Sequence, residues 1–124
     1  MSTPNSASTC VGCRESYDPD LGKYVVSVKL NADGTIQTDP PCLICKFPAD
    51  IQWQFDSTIG TLDFDVQFPN ATGVMVRGGK EQSTLTYRNT CPKPGGCYNY
   101  HINIGPHHAF DPSVDNQPTG SEGP

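Results

Sequence analysis

Cysteine offers the most chemistry in this chain, and four of its six occurrences are paired at short range. Cys10-Val-Gly-Cys13 and Cys42-Leu-Ile-Cys45 are two Cys-x-x-Cys pairs with 28 residues between them. Four thiolates from such pairs suit a tetrahedral zinc ion. Zinc held by Cys10, Cys13, Cys42 and Cys45 would have no open position, so its expected role is structural. Arg14 and Lys46 each directly follow a pair and would offset the negative charge of a four-thiolate site. In an oxidising compartment the same cysteines form disulfides, and an even count fits both outcomes. Leu43 and Ile44 read as strand residues, which would turn Cys42 and Cys45 to opposite faces. Neither pair opens a helix that would lower a thiol pKa, so thioredoxin-type catalysis is not expected.

The other candidate groups lie further along. Cys91-Pro-Lys-Pro-Gly-Gly-Cys97 is a Pro- and Gly-rich loop that suits either a hairpin disulfide or two thiols. His101, His107 and His108 cluster after it. An alternative reading joins Cys97 to these imidazoles in a second metal or redox site, against exposed loop histidines. Asp63 and Asp65 are paired carboxylates two residues apart, read as the solvated face of a strand before acid–base or calcium ligands. Asn70-Ala-Thr72 is a glycosylation acceptor only in a secreted chain. There is no nucleophile–base arrangement, phosphate loop or dinucleotide fingerprint, and the chain is expected not to be an enzyme.

The elements that must position these groups read as β throughout. Lys23 to Leu30 alternates, with Val26, Val28 and Leu30 on one face. Asn31-Ala-Asp-Gly34 signals a turn, and Gly34 to Thr38 pairs back. Asp50 to Phe55 sets Ile51, Trp53 and Phe55 against Gln52 and Gln54. Thr61 to Phe68 turns Leu62, Phe64, Val66 and Phe68 inward. Short strands follow at Val74–Arg77 and Ser83–Arg88. Tyr98 to Ile104 then alternates, with Tyr98, Tyr100, Ile102 and Ile104 inward. No segment has a 3.6-residue apolar period. The expected fold is all-β, a single antiparallel β-sandwich of about seven or eight strands with flexible termini.

Three of these features carry a family likeness: the Ile51-Gln-Trp-Gln-Phe55 strand, the TLDFDVQF strand, and Tyr98-Asn-Tyr100 running into Pro106-His107-His108. Over residues 23–114 their order resembles cupredoxin-like β-sandwich domains. The resemblance implies that fold, and a blue-copper site only where its ligands are present. Here no His precedes His101, the only Met residues are Met1 and Met75, and no Cys follows Tyr100 in the loop. The resemblance is therefore one of fold, and a colourless protein is expected. An immunoglobulin-like sandwich is the near alternative, its Cys–Trp–Cys framework corresponding loosely to Cys45, Trp53 and Cys91.

Composition sets the remaining bounds. The 124 residues are 35% hydrophobic with 12 Gly and 12 Pro, which allows one domain with a modest core. Residues 1–9 read as a flexible N-terminal arm, 10–114 as the β-sandwich domain and 115–124 as a flexible C-terminal tail. A net charge of −5 with scattered Lys and Arg argues against nucleic acid and anionic membranes. No apolar run reaches membrane-spanning length. No leader pattern opens the chain, which makes the cytoplasm the expected compartment. The function expected is that of a non-enzymatic binding or structural module with a structural zinc. A protein partner or self-association is expected, and a secreted, disulfide-stapled domain is the other alternative.

Overall fold

Regular alternation produces a half-buried strand. From Ala49 to Phe55 the odd positions Ala49, Ile51, Trp53 and Phe55 are buried and the polar residues between them are half-buried. In the computed structural model, which describes residues 10–119, thirteen strands follow in chain order. They are β1 (Cys13–Arg14), β2 (Tyr17–Asp18), β3 (Lys23–Leu30), β4 (Ile36–Asp39), β5 (Cys42–Cys45), β6 (Ala49–Phe55) and β7 (Phe64–Gln67). Then come β8 (Met75–Lys80), β9 (Thr84–Asn89), β10 (Gly96–Asn99), β11 (His101–Ile104), β12 (His107–Ala109) and β13 (Ser113–Asn116). One 3-10 turn, Ser57–Ile59, is capped by the Asp56 carboxylate accepting from Thr58 N.

The all-β expectation holds, and the strands form mixed sheets rather than the purely antiparallel arrangement expected. The largest sheet runs β2-β3-β6-β9-β8, with β4 also on β3. A second runs β1-β5-β13-β10, and a third β12-β11-β7. Pairing is mixed, because β3 lies parallel to β6, and β5 lies parallel to both β1 and β13. The reason is in the connections. Parallel neighbours need a crossover rather than a tight turn, and the chain from β3 to β6 passes through β4 and β5 before it returns. Alternation identifies each strand and its inner face but is blind to strand direction.

The predicted strand Tyr98–Ile104 is broken at Tyr100, whose N–H donates to Pro112 O at 2.9 Å. Its first half pairs with β13 and its second with β7, so one run of residues serves two sheets. The segment read as a loop at His107 and His108 is a strand instead. Gly105-Pro106 forms a two-residue turn with Gly105 at φ +55°, and His107 and His108 pair back on Ile104 and Asn103. At the C-terminal end, β13 continues through Asp115 and Asn116, inside the range expected to be tail, and Asn116 is buried. The arm at 1–9 and the last five positions of the tail lie outside the described residues.

The core is centred on Trp53, which is fully buried and lies edge-on to Phe68, Tyr87 and Tyr100 at ring separations of 5.3–5.8 Å. Phe55 stacks on Phe64 at 4.1 Å. Phe64, Val66, Tyr100, Ile102 and Ile104 point inward as their alternation predicts, whereas Leu62 is exposed before its strand begins. Burial of these large side chains contributes on the order of 2 kcal/mol apiece before entropy is charged against it.

Candidate functional site

The two Cys-x-x-Cys pairs do meet, although not as pairs. Cys13 sits in β1 directly opposite Cys42 of the parallel strand β5, and the two are joined as a disulfide with Cα atoms 4.2 Å apart. Cys10 is joined to Cys97 of β10, with Cα atoms 5.8 Å apart. Two bridges thus fasten the N-terminal segment to two strands of one sheet. Gly12 makes this possible: at φ +71° it turns the chain between the two cysteines, and a Cβ there would stand 3.2 Å from Pro41 Cγ.

The sulfurs of Cys10, Cys13 and Cys42 all lie within 4.8 Å of one another, and among the described residues they are the one such group with metal-ligand chemistry. Cys45 does not join them. It stands three residues after Cys42 on the same strand, so it faces the other way, into the hydrophobic core. The expected set of Cys10, Cys13, Cys42 and Cys45 is therefore split by strand geometry. Arg14 and Lys46 are also committed elsewhere. Arg14 pairs with Asp39, and Lys46 Nζ lies 3.0 Å from Glu15.

Cys45 and Cys91 are free, buried thiols. The hairpin bridge Cys91–Cys97 is not formed, because Cys91 turns inward at φ +42° and its thiol donates to Cys45 O at 3.6 Å. Asn89 organises this pocket of polarity. Its side chain bonds Asn116 in both directions, at 2.8 and 3.2 Å, and accepts from Cys91 N at 2.9 Å. Burial pushes the Cys45 thiol well above its ordinary range, against a smaller lowering by Asn89, and it raises Cys91 as well. Thiols held neutral in this way are poor nucleophiles and poor metal ligands.

The three histidines are dispersed around one hairpin. His107 packs against the Gly34 turn, where a Cβ would lie 3.2 Å from its ring. His108 Nδ1 is 2.6 Å from Asn103 Oδ1. His101 meets Phe110 edge-on at 4.6 Å, and His108 lies parallel to the same ring at 6.1 Å. Cys97 is occupied in its disulfide, so the Cys97–histidine constellation is not assembled. Asp63 and Asp65 pair outward with Lys80 and Arg77, at 2.7 and 2.8 Å, rather than with each other. The Lys80 ammonium beside it lowers the pKa of the exposed Asp63 carboxyl.

A groove of about 980 Å³ opens beside this hairpin. Its walls include Val11 and Gly12 from between the bridged cysteines, Ile36 to Thr38 of β4, His101, and Phe110 with Asp111. Among the described residues, no Ser, Cys, Lys or Arg lines it. Phe110 is 56% exposed and Val11 69% exposed. Asn70, the glycosylation-type asparagine, is exposed on a turn at its edge. The groove is not legible in the sequence, because its walls come from widely separated stretches of chain. The nearest local signal is Phe110, a lone aromatic between Ala109 and Asp111. No protein-family model matches the chain, and no curated protein matches it in sequence.

Proposed function

We propose that this chain is a non-enzymatic binding module, stapled by disulfides, that works in an oxidising compartment. The observation that carries this is the pair of bridges Cys10–Cys97 and Cys13–Cys42, which fasten the N-terminal segment to two strands of one sheet. Disulfides persist where thiols are not kept reduced, which favours such a compartment over the cytoplasm expected from the sequence. The likeness to cupredoxin-like domains is proposed as one of fold alone, since the imidazoles each have their own neighbours and no thiolate stands among them. A protein partner or a second copy, the other sequence expectation, has little to add to at the β8 edge. That strand carries Arg77 and Lys80 and a register shift between them, devices that blunt edge pairing.

Zinc is the second reading and belongs to the reduced chain. Its support is the clustering of Cys10, Cys13 and Cys42 within 4.8 Å. Three sulfurs leave one position of a tetrahedral ion to a solvent ligand.

Peptide mapping of unreduced protein, with elemental analysis of the same sample, tests both. The expected result is linked peptides for the two bridges, two free thiols per chain at Cys45 and Cys91, and no stoichiometric metal. About one zinc per chain with Cys10, Cys13 and Cys42 all as thiols would replace the stapled reading with the metal one.

A further inference from the structure

The groove beside Phe110 has a lining that selects a class of ligand. Among the described residues no Lys or Arg lines it, and the chain carries a net charge of −5, which disfavours anionic ligands. Gln37 and Asn70 bring amides and Asp111 a carboxyl group, while the amide N–H groups of Asn31 and Asn99 already donate to Thr35 Oγ1 and Asp111 O. Amides both donate and accept, and a carboxylate accepts strongly, which is the complement of a hydroxyl-rich neutral molecule. Among them Phe110 is 56% exposed, with the His101 ring perpendicular to it at 4.6 Å and the His108 ring nearly parallel at 6.1 Å. An aromatic face offers an apolar, flat platform to the C–H side of a ring, while surrounding polar groups meet its rim.

The groove is also stiff. Pro41, Pro69 and Pro112 stand in its walls, and the Val11-Gly12 wall is anchored on both sides by the bridged Cys10 and Cys13. Ordering that has already occurred need not be repeated when a ligand binds. At about 980 Å³ it has room for more than one ring.

We propose that this groove binds a neutral oligosaccharide, one sugar ring stacking on Phe110 and its hydroxyls bonding the amides and Asp111 around it. The two disulfides hold the Val11-Gly12 wall in the binding geometry. The proposal rests on the reading of the chain as a stapled binding module, and it gives that module its ligand class.

The test uses the oxidised full chain, with its bridges confirmed by peptide mapping, so a failure of stapling is separated from a failure of binding. Amide ¹H–¹⁵N spectra are titrated with cellohexaose, maltohexaose, chitohexaose and mannohexaose, and in parallel with a heparin-derived hexasaccharide and a polyproline peptide. Saturable shifts at Val11, Asn70, Asn99 and Phe110 with at least one neutral hexasaccharide are expected. Phe110→Ala should weaken that affinity by about tenfold or more, the equivalent of about 1.4 kcal/mol of lost stacking. Val76→Ala, exposed on β8 outside the groove, should leave it unchanged. Silence with all four neutral sugars overturns the proposal. So does stronger binding of the sulfated sugar or the peptide at these residues, or full affinity in Phe110→Ala.

Discussion

Removing one bridge at a time should show how much each disulfide stabilises the fold. The Cys13–Cys42 bridge spans a sequence separation of 29 residues. Loop-closure entropy gives it about 3.5 kcal/mol, by restricting the unfolded chain. Cys10–Cys97 spans 87 residues. With Cys13–Cys42 already closed, the shortest covalent path between its ends falls to roughly 60 residues, and its contribution is about 4 kcal/mol. The perturbation is a pair of double variants, Cys13→Ala/Cys42→Ala and Cys10→Ala/Cys97→Ala, together with the four single variants. Alanine avoids leaving a hydroxyl at the fully buried Cys42 position. Urea unfolding followed by Trp53 fluorescence gives ΔG and m.

Each double variant should lose about 3–4 kcal/mol, equivalent to a Tm drop of roughly 15 °C for a domain of this size. The slope m should rise, because an uncrosslinked denatured chain exposes more surface. A single variant breaks the bridge as completely as the double, so single and double losses should coincide, whereas independent residues would add. A double variant that loses less than about 1 kcal/mol, or single losses that simply add, would refute the bridging argument for that pair.

Two further outcomes follow from burial. Cys45 is held neutral in the folded chain, while the same thiol in the unfolded chain ionises near its ordinary value of 9.0. Above that pH the unfolded state binds fewer protons than the native one, so stability should fall as pH rises. Tyr24, raised by burial to about 12, adds to this decline above pH 10. Urea titrations between pH 8 and 10.5 should show that fall, reduced in Cys45→Ala, and a flat profile would mean that Cys45 is exposed or bridged. Gly95→Ala should destabilise by more than about 2 kcal/mol, since its Cβ would overlap the Asn116 backbone oxygen and lie 2.7 Å from Pro118 Cδ. Thermal unfolding within a degree or two of wild type would show that the 92–96 turn does not lean on β13.

Much of the local structure was legible in the residues. The strands from Lys23 to Leu30, Asp50 to Phe55 and Ser83 to Arg88 stand within a residue or so of where alternation put them. So does the inward set Trp53, Phe64, Tyr100 and Ile102. The physical reason is that a period of two is local: each side chain's face follows from its neighbour's. The same rule already set Cys42 and Cys45 on opposite faces, and the structure places Cys45 in the core accordingly. Short elements were harder. β1 and β2 are two residues each, and β13 reads Ser-Val-Asp-Asn with no apolar alternation, so their strand state comes from partners across the sheet.

The cysteine pattern marks the boundary between the two kinds of information. By itself the sequence determined that cysteines would organise the N-terminal segment and that the fold would be all-β. It could not determine which sulfurs join. Cys10 and Cys13 are three residues apart yet bond to strands 87 and 29 residues away. That choice is made by the parallel β1–β5 register and by the turn at Gly12. The groove is decided the same way, since Val11, Ile36, Asn70 and Phe110 share nothing in sequence. Proximity between distant residues depends on strand direction and sheet order, and these are fixed only when the whole chain finds the arrangement that buries Trp53 and its neighbours together.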